Sequence, residues 1–200
     1  MPKVSEAYLT ERQNHILDAA VRCFAANGFH ATGMADLIRE SGLSAGSVYR
    51  YYRSKDDLIA SIIERLLDGL YAQLVEASKL VDTMPAMVAG AVDIAERTFS
   101  GPESDYARLL PQVWTEALRN PAVAKTVREA YGRIFDMLED LIVRLQTDRR
   151  LPADLDPRGA GHVLFALVQG YMLQRLMVGA DLDPGRYLAA VHGLLLKSGS

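Results

Sequence analysis

The side chains best suited to bind another molecule lie in one short stretch, SGLSAGSVYRYYRSKDDL at residues 41–58. The guanidinium of Arg50 can donate two hydrogen bonds to O6 and N7 of a guanine, which contributes about 1–3 kcal/mol of discrimination between bases. The hydroxyls of Tyr49 and Tyr51 can reach phosphates. Gly46 lies among these residues, although glycine inside a helix costs about 1 kcal/mol relative to alanine. These residue types suit the base edges and phosphates of a nucleic acid, and Gly46 needs a separate explanation.

Helix geometry supplies that explanation. At about 100° per residue, with Val48 set inward, Tyr52 falls within about 40° of it and Arg50 falls about 200° away, beside Gly46. We therefore expect Gly46 and Arg50 on the outer face, flanked by Ser47 and Tyr49. A small residue on that face lets the helix backbone approach base edges closely.

Two further groups lie at predicted helix starts, where backbone N–H groups also favour an anion. Lys55 lies in the first turn of a long helix that follows Ser54, and Thr32 precedes a short one. We expect both side chains to contact phosphates.

The whole chain reads as helical, because apolar spacings of three and four recur and alternation with a period of two is missing. Asn27-Gly28 marks one helix end, and Asn120, Asp156 and Asp183 each precede a proline at a helix start. The predicted helices are 6–27, 33–40, a third one capped by Ser44, 54–79, 84–99, 104–119, 121–148, 157–179 and 184–197.

The second and third helices, joined by a turn at Gly42, have the helix-turn-helix arrangement, whose second helix lies in the DNA major groove. The predicted fold class is all-α, with an amino-terminal three-helix DNA-binding domain at 1–53. A larger helical domain is expected at 54–200, and the fourth helix should join the two rigidly.

Composition alone gives no sign of a nucleic-acid partner. The 200 residues carry a formal net charge of −3, and residues 1–60 hold seven basic and seven acidic side chains. A secretory signal is missing and one cysteine allows no intramolecular disulfide, so we expect a cytoplasmic protein. The apolar run at 162–179 approaches the length of a membrane span, but Gln169, Gln174 and Arg175 favour a buried soluble helix.

The same run is apolar on most sides, so it needs partners in several directions. A second copy of the chain could cover one side together with the last helix, through Leu188, Val191, Leu195 and Leu196. This predicts a homodimer through the last two helices and a palindromic operator, since each copy reads one half-site. A monomeric core is the alternative.

A ligand cavity among the carboxy-terminal helices would be mostly apolar with a few polar groups. The candidates to line it are Trp114, Tyr131, Phe135, Phe165 and Gln169, although ordinary core packing explains them equally well. The four histidines are scattered, so no metal site or cofactor is expected. Phosphate-binding loops and nucleophile motifs are also missing, so we expect no enzyme activity.

Residues 10–63 resemble the amino-terminal domain of TetR-family transcriptional regulators through ILDAAVRCFAANGFHATGMADLIRESGLSAGSVYRYYRSKDDLIASII. Tyr52 stands where phenylalanine is commoner, and Ile38 and Ser41 stand where alanine is frequent. The rest of the chain loosely resembles the family's variable domain, which implies that 54–200 is a helical ligand-binding and dimerisation domain. The resemblance implies that the phosphate and base contacts fall on Thr32, Ser44, Ser47, Tyr49, Arg50, Tyr51 and Lys55.

The resulting hypothesis is a homodimeric repressor that a small-molecule effector, of unknown identity, releases from double-stranded DNA. A transcriptional activator or an architectural factor of the same family is one alternative. A helical small-molecule carrier or enzyme is another, and a DNA affinity that falls steeply with salt would argue against it.

Overall fold

The computed structural model describes residues 6–100 and 104–196, and these ranges consist of helices joined by short turns and loops, with no strand. The predicted all-α fold is confirmed. A single turn of 3-10 helix at Gly179–Asp181 was not predicted. The α-helices are α1 Glu6–Ala31, α2 Met34–Ser41, α3 Ala45–Tyr51, α4 Lys55–Lys79, α5 Met84–Ser100, α6 Ser104–Ala117, α7 Pro121–Thr147, α8 Pro157–Val178 and α9 Pro184–Leu196.

Short-range capping explains why the predicted helix starts agree with the structure. At the start of α7, Asn120 Oδ1 accepts the N–H of Ala122. At the starts of α8 and α9, the side-chain carboxylates of Asp156 and Asp183 each accept a backbone N–H of the first helical turn. At the start of α4, Ser54 Oγ accepts the Asp57 N–H while the Asp57 carboxylate accepts the Arg53 N–H. Each cap satisfies a backbone donor that has no partner within the helix.

The described residues form two compact units. The first contains α1 to α3, α4 up to Leu67, and the part of the chain from α6 to Thr126. The second contains the rest of α4, α5, and the chain from Val127 onward. Because α6 packs on α1, the first unit includes a helix beyond the predicted functional boundary between residues 53 and 54. That boundary stays a prediction.

The core of the first unit fixes the orientation of α3. Val48 and Tyr52 are buried together with Phe24 of α1 and Leu58 of α4, as the helical periodicity predicted. Cys23 is also buried, and burial raises the pKa of its thiol. Cys23 is therefore a packed core residue.

Helix α1 bends at Gly28, where φ is 84° and ψ is 161°. The first regular helix ends here, as predicted, and one further helical turn follows to Ala31. The bend packs Phe29 edge-on against Phe24, with ring centroids 5.1 Å apart. This backbone conformation is essentially restricted to glycine.

Gly28→Ala is expected to lower the free energy of unfolding by about 1–3 kcal/mol, because alanine strains this backbone conformation. A Cβ at this position would lie 3.7 Å from its nearest neighbour, Gln112 Oε1, so steric overlap contributes little. Urea denaturation measures the effect. Gly46→Ala is the matched control, because Gly46 is helical and open; equal stability of the two variants would contradict the strain.

In the second unit, α5 packs on α8 and α9, and a polar triad joins α5 to α8. The hydroxyl of Tyr171, which is 0% exposed, donates to Glu96 Oε1 at 2.5 Å. Arg175 Nε donates to the same oxygen at 2.8 Å. Burial acts to raise the pKa of Glu96, but the hydrogen bonds from Arg175 and Tyr171 outweigh it, so this pKa lies below its ordinary value.

A lowered pKa makes the contribution of Glu96 to stability dependent on pH. That contribution is complete above the ordinary pKa of 4.5 and is lost as the pH falls through the lower folded value. We therefore expect Glu96→Gln to reduce the melting temperature at neutral pH and the difference from wild type to narrow on acidification. Glu76→Gln, at an exposed pair with Lys79, is the control. A difference that widens in acid would contradict the prediction.

Candidate nucleic-acid interface

The outer face of α3 is bare, as the sequence predicted. Gly46, Tyr49 and Arg50 are exposed, while Val48 on the opposite face is fully buried. A Cβ built on Gly46 meets no described atom within 4 Å. Tyr49 keeps 46% of its surface exposed although it is a large aromatic residue. This face is therefore open to a ligand within the first unit.

The turn that presents α3 is held by short-range contacts. Gly42 adopts the left-handed conformation with φ of 66°, which costs glycine little. The hydroxyl of buried Ser41 donates to the Ile38 carbonyl and accepts the Leu43 N–H. His15 Nε2 lies 2.8 Å from the Ser41 carbonyl oxygen, which ties α1 to the turn. These contacts hold the start of α3 in place.

Ion pairs explain how a formally neutral segment can still attract an anion. Arg22 pairs with Glu40, and Arg39 pairs with Asp36 on the same helix. Among the residues that the structure describes, the Arg50 guanidinium has no hydrogen-bond or ion-pair partner. Its donors are therefore available to base edges or phosphates, which the total charge does not reveal.

Ser44 and Ser47 lie together at the start of α3. Ser44 Oγ accepts the Ser47 N–H at 3.2 Å, and the two hydroxyl oxygens lie 2.9 Å apart. Ser44 is exposed and Ser47 is partly exposed, so both keep hydrogen-bonding capacity toward solvent. Tyr51 is also partly exposed. Their predicted contacts with DNA stay predictions.

The structure places Thr32 differently from the prediction. Its side chain is 1% exposed, and its hydroxyl donates to the Gly28 carbonyl at 2.9 Å. The bend at Gly28 brings the Gly28 carbonyl within reach of the Thr32 hydroxyl, which gives this carbonyl a hydrogen-bond donor. The prediction that the Thr32 side chain reaches a phosphate needs correction, because the side chain does not lie at the surface.

Lys55 lies at the start of α4 as predicted and is partly exposed. Its Nζ donates to the Phe29 carbonyl at 3.0 Å, which fixes the ammonium beside the bend in α1. An ammonium has three donors, so this contact leaves donors for a phosphate.

Sequence reasoning missed Gln112, a residue of α6 that binds the same bend. Its Oε1 accepts the Phe29 N–H across 83 positions of the chain. A local pattern cannot predict a contact at that separation. A cleft of about 370 Å³ beside the bend is lined by residues that include Phe29, Pro111 and Glu116.

Four of the five ligand candidates lie together between α7 and α8. The Tyr131 ring lies 4.9 Å from the Phe165 ring, the Phe135 ring lies 5.3 Å from that of Phe165, and Gln169 Nε2 donates to the Tyr131 hydroxyl at 3.1 Å. Trp114 belongs to α6 and to the first unit. These contacts suit a cavity wall and ordinary core packing alike.

A separate cleft of about 440 Å³ lies between α4 and α7 in the second unit. Its lining includes Tyr71, Val75, Met137 and Arg144, and it includes none of the five ligand candidates. Within 6–100 and 104–196, no group of three or more metal-binding side chains occurs. One described helical segment, Pro157–Asp181, is long and apolar enough to span a membrane, and its most apolar 18-residue window has a mean hydropathy of 1.4.

Comparison with known families gives matches over both units. The family described as "Bacterial regulatory proteins, tetR family" matches residues 16–62. The family described as "BetI-type transcriptional repressor, C-terminal" matches residues 88–197. Together the two matches include α3 and most of the chain after α4.

Individual proteins with similar sequences or folds agree with these matches. The transcriptional regulator UidR of Escherichia coli (strain K12) is 24% identical over 160 residues, 80% of this chain and 79% of its own length. The structure of GusR from Salmonella enterica is 26% identical and covers 96% of this chain and 98% of its own, with a TM-score of 0.77. FadR from Bacillus subtilis, solved in complex with stearoyl-CoA, is 19% identical and covers 92% and 98%, with a TM-score of 0.78.

Proposed function

Because this chain belongs to the TetR family of transcriptional regulators, we propose that it is a homodimeric, ligand-responsive repressor that binds a palindromic operator. The observation that carries this proposal is the bare face of α3, where open Gly46 lies beside Arg50. A helix with an exposed small residue and a free guanidinium can approach base edges closely. Operators lie on chromosomal DNA, so the protein acts in the cytoplasm.

DNA contacts divide into those that read bases and those that bind phosphates. Arg50 reads a guanine in the major groove and Tyr49 lies beside it. Ser44, Ser47, Tyr51 and Lys55 bind phosphates around that contact, with Gly46 allowing the close approach. Arg50 therefore determines sequence preference, while Lys55 contributes affinity for every sequence.

Support for the homodimer comes from an exposed apolar stripe on α8. Its members are Val163, Ala166, Gly170, Leu173 and Met177, whose spacings of three and four place them on one side of the helix. Leu173 is 41% exposed and Met177 is 79% exposed, which is unusual for large apolar side chains. A second copy of α8 covers this stripe with the same residues, as a two-fold symmetric interface requires.

The same stripe explains why the composition of α8 resembles that of a membrane span. Only 17% of the most apolar 18-residue window of this helix is buried. Arg175 lies on this helix and pairs with Glu96 of α5. A charge paired within the protein, on a helix that packs against α5, favours a protein partner over lipid. The dimer interface therefore includes α8, and the part of α9 in it stays a prediction from the sequence, because Val191 is buried within the chain and the side chains of Leu195 and Leu196 lie outside the described residues.

The effector binds in the second unit. FadR, which shares this fold, was solved in complex with stearoyl-CoA, so this fold accommodates a large ligand. Tyr131, Phe135, Phe165 and Gln169 are the candidate contacts there, and Trp114 stays a candidate from the sequence. The effector favours a dimer in which the spacing of the two copies of α3 no longer fits the two half-sites. The dimer is then released from the DNA. Complete reversal requires a preference of about 5.5 kcal/mol for one state.

Repression is tested by placing promoter fragments that the purified protein retains ahead of a reporter gene. Expression should be low when the protein is present and should rise when its gene is deleted. Lower expression after deletion would identify an activator and contradict repression. Equal effector affinity of the free and the DNA-bound dimer would contradict ligand release, because binding linkage is reciprocal.

A further inference from the structure

Gln112 of α6 holds the bend in α1 from two sides. Its Oε1 accepts the Phe29 N–H at 2.9 Å, and its Nε2 donates to the Phe24 carbonyl at 3.2 Å. Between these two backbone groups lies Gly28, whose conformation interrupts the regular helix. A single carboxamide therefore satisfies backbone groups on both sides of the interruption.

The residue that Gln112 holds also binds Lys55. The N–H of Phe29 is bound by α6, and its carbonyl accepts Lys55 Nζ of α4 at 3.0 Å. A lysine side chain is long and flexible, so a fixed acceptor determines where its ammonium lies. The contacts from Gln112 through Phe29 to Lys55 lie entirely within the first unit.

We propose that Gln112 is a positioning residue for DNA binding, which fixes the Phe29 backbone and thereby holds the Lys55 ammonium where a phosphate binds. The proposal rests on the proposed function, since it requires that Lys55 contact DNA. It gives α6, a helix outside the helix-turn-helix, an effect on DNA affinity that acts through Phe29 and Lys55.

A double-mutant cycle tests the proposal. The affinity for one retained duplex is measured against salt concentration for wild type, Gln112→Met, Lys55→Met and the double variant. A homodimer carries Lys55 twice, so loss of both phosphate contacts should weaken binding and make the slope of log affinity against log salt shallower by about 1.8, or about 0.9 for each contact. We expect Lys55→Met to show this loss, Gln112→Met to show part of it, and the double variant to match Lys55→Met.

Gln146→Met is the matched control. The Gln146 amide also donates to two backbone carbonyls, those of Pro152 and Leu155, but it lies in the second unit. We expect this variant to lower the melting temperature and to leave the salt slope unchanged. If Gln112 contributes to stability alone, Gln112→Met should also lower the melting temperature and leave the salt slope at the wild-type value. That result would overturn the proposal.

Additive losses in the double variant would also overturn it, because residues that act through one contact are not additive. If Gln112→Met does not fold, Gln112→Ala replaces it, because alanine also removes the hydrogen bonds to Phe29 and Phe24 without adding a charge. We expect a slope between those of wild type and Lys55→Met, and a wild-type slope would overturn the proposal. Failure of the proposed function is distinguishable, because wild type itself would then lack salt-dependent affinity.

Discussion

Leu173→Arg is expected to convert the dimer into monomers and to weaken binding to a palindromic duplex by about 10²–10⁴-fold. The two-fold interface brings each stripe against its copy, so one substitution places two like charges in an apolar contact. A monomer then binds a single half-site and loses the gain of about 10²–10⁴ in affinity that linked binding provides.

Sedimentation measures the first effect, because one chain has a mass of 22.0 kDa and a dimer has twice that mass. Val143→Arg is the matched control, since Val143 is also an exposed apolar residue but lies on α7 and not on α8. We expect this control to stay dimeric and to bind the duplex as wild type does. A Leu173→Arg variant that sediments as a dimer would disprove the interface on α8.

Arg50→Ala is expected to remove the preference for one base pair in each half-site. A bidentate contact with guanine provides about 1–3 kcal/mol of discrimination, so the ratio between the preferred and the substituted duplex should fall about 5–150-fold. The exposed position of Arg50 on α3 makes an effect on stability small. Selection of bound duplexes from a random pool measures the change in preference directly.

Lys55→Ala is the comparison that separates base reading from phosphate binding. We expect it to weaken all duplexes by a similar factor and to reduce the dependence of affinity on salt, with the selected motif unchanged. Identical selected motifs for wild type and Arg50→Ala would remove Arg50 from the base-reading role. A changed motif for Lys55→Ala would show that Lys55 does more than bind phosphate.

Sequence reasoning succeeded where the physics is short-range. Helix starts depend on caps that act over two or three residues, as at Ser44 and Asp156. The burial of Val48 and Tyr52 follows from helical periodicity once one inward residue is known. The exposed position of Gly46 follows from the same periodicity.

The same reasoning failed where a side chain forms a hydrogen bond that depends on the tertiary structure. Thr32 has the residue type and position of a phosphate contact, but the bend at Gly28 supplies a nearer acceptor for its hydroxyl. Lys55 is fixed by a carbonyl 26 positions away, and Gln112 reaches across 83 positions. Such contacts depend on how α1, α4 and α6 pack, which residue spacing does not encode.

Charge illustrates the same division. Residues 1–60 have a formal net charge of zero, but ion pairs within the protein determine which basic side chains can still bind a phosphate or a base. Arg22 and Arg39 are occupied by carboxylates, while Arg50 is left without a partner among the described residues. A total charge cannot distinguish these states, so the absence of a basic excess did not exclude DNA.

The most direct measurement is the affinity of the wild-type protein for duplexes selected from a random pool, determined over a range of salt concentrations. The expected result is an inverted repeat whose half-sites lie about one helical turn, or a multiple of it, apart. Affinity for this repeat should fall linearly with log salt, with a slope that corresponds to several phosphate contacts. Selection that enriches no sequence, or binding that does not change with salt, would contradict DNA recognition by α3.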